Sequence, residues 1–434
     1  MINNFSLCLY CLFVISWFLH LGTRIPLLGA IRIDFILIII LSILAFLRVM
    51  DHRNNIQAKT DTDKWLKVLI IYVICSIPFV EWPGSVINSG IENWIKVSAF
   101  YYFTITFIGS EKDLKSLTFV FLACQTWRFL EPLYLHITED YWGDMASMAD
   151  WETMYRLAGA PSDVINPNGL AFVICTVLPF LYFTARLSWK NWLISTILIS
   201  LALYTLMLTG SRSGFIGIII IFLGIIAKSK KRLLICISGI LLLILSFPFL
   251  SSDMQDRYLS IVGAGPKNEV TAEGRWSGVI NNFAIGFRRP IFGHGLGTSR
   301  EVNANFGGND QPAHNLYAEV FQELGLMGLI IFALFIKSIF IGFSQIQKAD
   351  NKQNMSLFLQ KFNNAMQVWL AMNLAFSFAS FGLNSYEWYL FAGFSIVVRR
   401  LAVLESSQDQ PVWQRNHTYK RRRSRRIKVQ PVGN

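Results

Sequence analysis

The amino-acid sequence predicts an all-α integral membrane protein with about twelve transmembrane helices. Three observations lead there. Of the 434 residues, 53% are hydrophobic and only 15% charged, giving a mean hydropathy of +0.43. The apolar residues gather in repeated runs of roughly 17 to 25, the length that crosses a hydrocarbon core. Lysines and arginines, which bring the net charge to +12, cluster in alternate connections between those runs, and so read as a topological signal.

The first run, Phe5 to Leu21, has no basic segment ahead of it and no small-residue cleavage site behind it. It therefore reads as a retained span and not as a signal peptide. Further spans are expected near 30–47, 66–80, 95–109, 114–130, 169–185, 192–209, 214–227, 233–250, 324–343, 364–382 and 387–404. The basic clusters Arg48 to Lys67, Lys112 with Lys115, Arg186 with Lys190, Lys228 to Arg232, Lys348 to Lys361 and Lys420 to Lys428 then all fall on the cytoplasmic side, together with both termini. Residues 1–404 form one polytopic membrane domain and 405–434 a basic tail. Its basic run, Lys420 to Lys428, carries no interleaved aromatics, so the tail reads as a contact for membrane lipids and not for nucleic acid. All six cysteines (Cys8, Cys11, Cys75, Cys124, Cys175, Cys236) lie in apolar runs; a thiol there acts as a small buried hydrophobe, and no disulfide framework is implied.

Two outer segments, about 131–168 and 251–323, are too long for simple turns and read as functional. The larger lies between spans nine and ten. In its stretch "GRWSGVINNFAIGFRRP", Trp276, Val279, Ile280, Phe283 and Phe287 repeat at helical spacing and Pro290 ends the run. The pattern predicts an amphipathic helix on the outer membrane face, followed by the glycine turns of "FGHGLGTSR". Packing against the bundle would account for the aromatics but not for the arginines beside them.

Arginines stand outside, or at the outer edge, at 128, 156, 212, 257, 275, 288, 289 and 300, against the positive-inside bias. Arg212 in "TGSRSGFIG" sits in a hairpin turn between Gly210 and Gly214. A guanidinium there can grip phosphate oxygens as a fork, with Ser211, Ser213 and the glycine amides adding donors; snorkelling to lipid headgroups is the plainer role. Arg156 lies in "YRLAGAPSDVINPNG", ahead of a turn at Asn166, Pro167 and Asn168, and Arg275 opens the amphipathic helix. Three arginines from separate segments at one face can converge on a diphosphate, while a surface ion pair would explain any one of them singly.

His314 and Asn315 start a helix in which Leu316, Val320, Phe321 and Leu324 form the buried stripe, leaving Glu319, Gln322 and Glu323 on other faces. Gly325 and Gly328 then let the helix enter the membrane close to a neighbour or ligand. Imidazole is the side chain suited to take a proton from a sugar hydroxyl near neutral pH; a lone histidine also serves as a structural hydrogen-bonder. His20, His52, His136, His294 and His417 are poorer placed. The triplet "DTD" at Asp61 to Asp63 falls on the inner side, and no H-E-x-x-H, paired C-x-x-C or P-loop is present, so neither a metal nor a cofactor is predicted.

"HN" at His314 and Asn315, nine residues, then "GLMG" at Gly325 to Gly328 resembles the H-[NSQ]-x9-G-x-x-G signature of bacterial O-antigen ligases, within the wider O-antigen ligase and polymerase superfamily. "RWSGVINNFAIGFRRPIFGHGLG", "RLAGAPSDVINPNG" and "TGSRSG" resemble further family segments, so the likeness spans about residues 155–330. It implies a metal-independent membrane glycosyltransferase of the GT-C type in the bacterial inner membrane, with its active face and large loop in the periplasm. The donor would be an undecaprenyl-pyrophosphate-linked glycan. Ligases pass that glycan to lipid A-core, and polymerases join repeat units into polysaccharide. Carried over by position, His314 would be the base that activates the acceptor hydroxyl, supported by Asn315, Gly325 and Gly328. Arg212 and Arg275, with Arg156 as a third, would neutralise the pyrophosphate leaving group, and the anomeric carbon would be inverted.

Two other classes fit parts of the pattern. A transporter of an anion or a lipid-linked sugar would suit many spans and a basic outer cleft, but it usually carries ionisable groups near the bilayer midplane. Here span centres are nearly free of charge, with Asp34 near one end of a span and Lys337 near another. A non-catalytic subunit of an export complex would leave His314 and the arginines without a role.

Overall fold

The computed structural model describes residues 2–50, 60–143, 155–163, 165–246, 248, 252–259, 269–308, 310–350, 355–380 and 382–408. Among these there is no strand. The principal helices are α1 (Ile2–Leu19), α2 (Ile33–Met50), α3 (Asp61–Ser76), α4 (Ile91–Phe107), α5 (Glu111–Glu139), α6 (Pro167–Thr184), α7 (Trp189–Thr209), α8 (Arg212–Lys228), α9 (Arg232–Ser246), α10 (Ser252–Leu259), α11 (Glu269–Gly286), α12 (Leu316–Asp350), α13 (Leu357–Phe376) and α14 (Tyr386–Gln408). Each expected span falls on one of them; α10 and α11 lie in the longer connection, 251–323. Among the described residues, four stretches are long and apolar enough to cross a bilayer by length and composition: α2, 167–187, α7 and 316–346. The chain is an all-helical membrane protein.

The helix boundaries follow from capping chemistry. Ser110, Asn166, Ser188, Ser211 and Ser356 each accept a backbone N–H in the first turn of the helix they precede, satisfying one of the donors a helix start leaves orphaned. Pro167 follows Asn166 at the first helical position, where a missing N–H costs nothing. Gly210 closes α7 in a left-handed conformation, φ 53°, which glycine adopts without steric cost.

Burial separates the inner from the outer helices. In α6, 72% of the apolar window is buried, against 17% in α2 and 28% in α7, so α6 runs through the centre and the other two lie at the periphery. Around α6 packs an aromatic core: Phe180 meets Phe362 and Phe391, and Trp369 meets Phe391 and Trp388. At one end of the bundle Ser356 N donates to Glu405 (3.1 Å) and Arg400 donates to the Ile105 carbonyl (3.0 Å). The opposite end gathers the starts of α6, α8, α12 and α14 with the ends of α7 and α13, and there lie the residues singled out above.

Four expectations change. Helix α5 runs on to Glu139, so the segment expected as loop from residue 131 begins as helix; Arg24 forks onto Glu131 there (2.7 and 2.5 Å). The amphipathic helix begins at Glu269 and not at Arg275. It turns Asn282, Ile285 and Gly286 inward while Ile280 and Phe287 stay exposed, because Gly286 lets the Phe321 ring of α12 come within contact of its backbone. Glu319, Gln322 and Glu323 are buried together with the apolar stripe. Finally, the long apolar helix does not run unbroken: Gly325 interrupts α12 at φ 64°, ψ −170°.

Candidate functional site

The connection between α7 and α8 is the organising feature. Residues 155–159 lie along the end of α7, with Leu157 N donating to Leu208 O (2.9 Å). That places Arg156, which is buried, so that its Nε donates to Thr209 O and its Nη2 to Asn168 Oδ1, both at 2.9 Å. Ser211 Oγ donates to the same Asn168 oxygen (2.9 Å) and accepts from Gly214 N (3.1 Å). The Asn168 side chain thus ties the starts of α6 and α8 together. Arg212 is the first residue of α8 and is buried with Ser211 and Ser213.

A further arginine joins them from α10. Arg257 is 3% exposed and donates from Nε to Gly210 O at 2.7 Å. Beside it the Tyr258 ring packs on Phe215 of α8, 4.9 Å between centroids. Burial raises the Tyr258 hydroxyl above the usual tyrosine range, and the positive charges of Arg257 and Arg156 oppose that shift. Arg156, Arg212 and Arg257 therefore meet at the α7–α8 turn. Two of them rest on C-terminal carbonyls of α7, where cations are favoured by the helix dipole. Two helix starts, with their opposite polarity, point into the same place.

Arg275 lies on α11, and its side chain is outside the described residues. The other outer arginines have local partners. Arg300 forks onto Asp310 (2.8 Å twice), Arg289 lies 3.4 Å from Glu81, Arg288 stands over the Phe306 ring, and Arg128 binds Asp163.

His314 and Asn315 precede the helix and do not form its first turn, which begins at Leu316. Asn315 is buried, accepts from Ala318 N (3.0 Å) as the cap, and donates from Nδ2 to Phe378 O (2.9 Å). Leu316 N donates to Ser377 O (2.9 Å). This holds the start of α12 against the end of α13, whose Phe376 packs on Phe172 of α6 and lies near Gly217 of α8. His314 itself is exposed. Glu319 accepts from Gly382 N (2.7 Å) and Leu383 N (3.1 Å), and Glu323 from Gly297 N (2.8 Å) and Ser299 N (3.2 Å). These buried carboxylates bind the backbone of two loops.

Gly325 forms the break below, and Gly328 lies in the helix that resumes after it. A Cβ on Gly325 would lie 2.3 Å from Ile291 O, and Gly293 faces it from the opposite strand of chain. The Tyr72 hydroxyl donates to Leu324 O (2.6 Å), a carbonyl released by the break. His294, set aside as a turn residue, is fully buried: Nδ1 lies 2.7 Å from Glu81 Oε2 and the ring stacks on Trp82. With His294 N on Gln322 O (2.8 Å) and Gly295 N on Glu323 O (2.9 Å), the glycine turn is pinned to the first turns of α12.

Arg257 and Asn168 are the site residues that sequence reasoning did not rank. Arg257 was visible as one of eight outer arginines, with nothing local to distinguish it. Among the described residues, no group of three or more His, Cys, Asp or Glu could hold a metal ion.

An all-helical membrane bundle with a cationic turn at one end is the class these features define. Residues 197–333 match the family model described as O-antigen ligase, which supports the O-antigen ligase and polymerase superfamily for this chain. The matched stretch holds Arg212, Arg257, Arg275, His314, Gly325 and Gly328; Arg156 and Asn168 lie ahead of it. A search of curated proteins finds no match.

Proposed function

We propose that the protein transfers a glycan from an undecaprenyl-pyrophosphate donor to an acceptor hydroxyl at the periplasmic face of the bacterial inner membrane, in lipopolysaccharide or surface polysaccharide synthesis. The meeting of Arg156, Arg212 and Arg257 between the starts of α6 and α8 carries this reading. A diphosphate leaving group develops negative charge as the glycosidic bond breaks, and preorganised guanidinium groups stabilise that charge most where water is scarce. Arg156 and Arg257 each give their Nε–H to a backbone carbonyl, which fixes the plane of the guanidinium before substrate arrives. Arg275, from α11, is the fourth arginine assigned to this group.

His314 is assigned as the base that takes the proton from the acceptor hydroxyl, with Asn315 holding its backbone in place. The attack inverts the anomeric carbon, and the diphosphate departs with its lipid. No step requires a metal. Transfer of a whole glycan to lipid A-core is the reading favoured by the matched family; repeat-unit polymerisation uses the same chemistry on a different acceptor.

The test is an assay of purified protein in nanodiscs with an undecaprenyl-pyrophosphate glycan, offering lipid A-core and repeat units as separate acceptors. Transfer in the wild type and at least a hundredfold loss in His314→Ala and Arg212→Ala are expected. An uptake signal without any new glycosidic product would favour transport instead.

A further inference from the structure

A cavity of about 280 Å3 opens at the same end of the bundle, between the end of α1, helix α5, the start of α14 and the 155–166 loop. Trp17, Phe18 and Tyr386 supply its aromatic wall, and His20, Arg128 and Ser162 its polar wall. It is smaller than the roughly 300–1,000 Å3 usual for drug-sized ligands, so a single ring fits and an extended chain does not.

The polar wall is neutralised within itself. Arg128 donates from Nε (2.6 Å) and Nη2 (3.0 Å) to Asp163 and from Nη1 to Gln125 Oε1 (3.0 Å). Asp163 also faces His20 Nε2 at 3.2 Å. Gln125 Nε2 in turn donates to the Tyr386 hydroxyl (2.5 Å). With its guanidinium committed on every side, Arg128 is a poor anion grip. His20, on the rim, holds a left-handed backbone (φ 49°, ψ 51°), a conformation that costs energy in a non-glycine residue and tends to mark functional positions.

Charge-neutral hydrogen-bonding groups opposite aromatic faces match one class of ligand: a sugar ring, whose hydroxyls pair with the polar wall and whose C–H face lies on the rings. Two of its lining residues stand close along the chain to residues of the proposed site. Ile165 lines it, three residues before Asn168, which receives Arg156. Tyr386 lines it from the segment that begins at Phe378, whose carbonyl receives Asn315. We infer that this cavity is a subsite for one sugar ring of the glycan substrates. Its use in glycan transfer rests on the proposed function; its affinity for a sugar does not.

Saturation-transfer NMR on the purified full-length protein, with free hexoses and N-acetylhexosamines as probes, tests the inference. Ring-proton saturation is expected in the wild type and in His314→Ala. It should fall at least fivefold in Ser162→Trp, which fills the cavity, and in Trp17→Ala, while Trp17→Phe retains it. No saturation in the wild type, undiminished saturation in Ser162→Trp and Trp17→Ala, or displacement of the sugar by inorganic phosphate would overturn the subsite. Sugar binding without any glycan transfer by the wild type would instead remove the proposed function and leave the subsite standing. Steady-state kinetics separates donor from acceptor: Trp17→Ala should raise KM about tenfold for the substrate whose ring sits here. A variant that lowers kcat alone, with both KM values unmoved, would count against the assignment.

Discussion

Arg212 and Arg257 differ from a generic positive charge in the geometry they can offer. A guanidinium binds two phosphate oxygens at once through a planar fork, and an ammonium does not. Arg212→Lys and Arg257→Lys are therefore expected to lose at least tenfold in transfer while keeping fold and expression; wild-type rates in both lysine variants would reduce these residues to helix-end charges. Asn315 makes a different kind of prediction, because it both caps α12 and donates to Phe378 O. Asn315→Ala should destabilise the protein by about 1–2 kcal/mol, seen as a lowered melting temperature in detergent. Residue types such as His314, Arg212 and Asn315 were legible in the sequence from their turn and helix-start context. The importance of Asn168 was not, since an asparagine in an N-P-N turn has an adequate local role as it stands. Only the approach of Arg156 and Ser211 to its side-chain oxygen assigns it more.

At the scale of elements, the informative departure is the break in α12. Periodicity alone carries the apolar pattern from Leu316 into the bilayer without interruption, and a glycine within a helix costs only about 1 kcal/mol, so continuity was the natural expectation. In the folded chain Gly325 takes φ 64°, ψ −170°, a region essentially reserved for glycine. The carbonyl set free at Leu324 is satisfied by Tyr72. Gly325→Ala is expected to cost 1–3 kcal/mol from backbone strain alone, and more from the approach to Ile291 O. If its melting temperature matched the wild type, the break would not be a designed feature of the site. The same reasoning explains why Glu319 and Glu323, expected on faces other than the buried stripe, are buried as well. A helix wheel shows one buried side, whereas these carboxylates are enclosed by loops from elsewhere in the chain and bind their backbone N–H groups. Helix α11 rotated away from its expected face for a related reason: Phe321 reaches the bare backbone of Gly286.

The whole molecule is held at its site end by connections between distant parts of the chain, and one of these responds to pH. Burial would raise the Asp163 carboxyl, but hydrogen bonds from His20 and Arg128 outweigh it and hold the group below its ordinary value. A carboxyl depressed in the folded state stabilises the protein above the ordinary carboxylate pKa of about 4, and the contribution is lost as pH falls through the folded value. Asp163→Asn should accordingly lower the melting temperature most at neutral pH, and the gap to wild type should narrow as the solution is acidified below about pH 4. A gap that stayed constant with pH would mean that Asp163 acts by shape and not by charge. The proposed orientation is tested separately: a thiol at Asp310→Cys should be modified by an impermeant reagent added outside intact cells, and one at Lys190→Cys should not. What the sequence by itself determined was the class of the protein, the positions of its helices and the residue types able to handle a diphosphate and a proton. Those follow from apolar run length, capping residues and charge placement, all of which are read within a few turns of chain. Only the tertiary structure decided which arginines lie together, because Arg156 meets Thr209 across 53 residues and Arg257 meets Gly210 across 47. Pairings of that range are chosen by the packing of whole helices, and no local pattern records them.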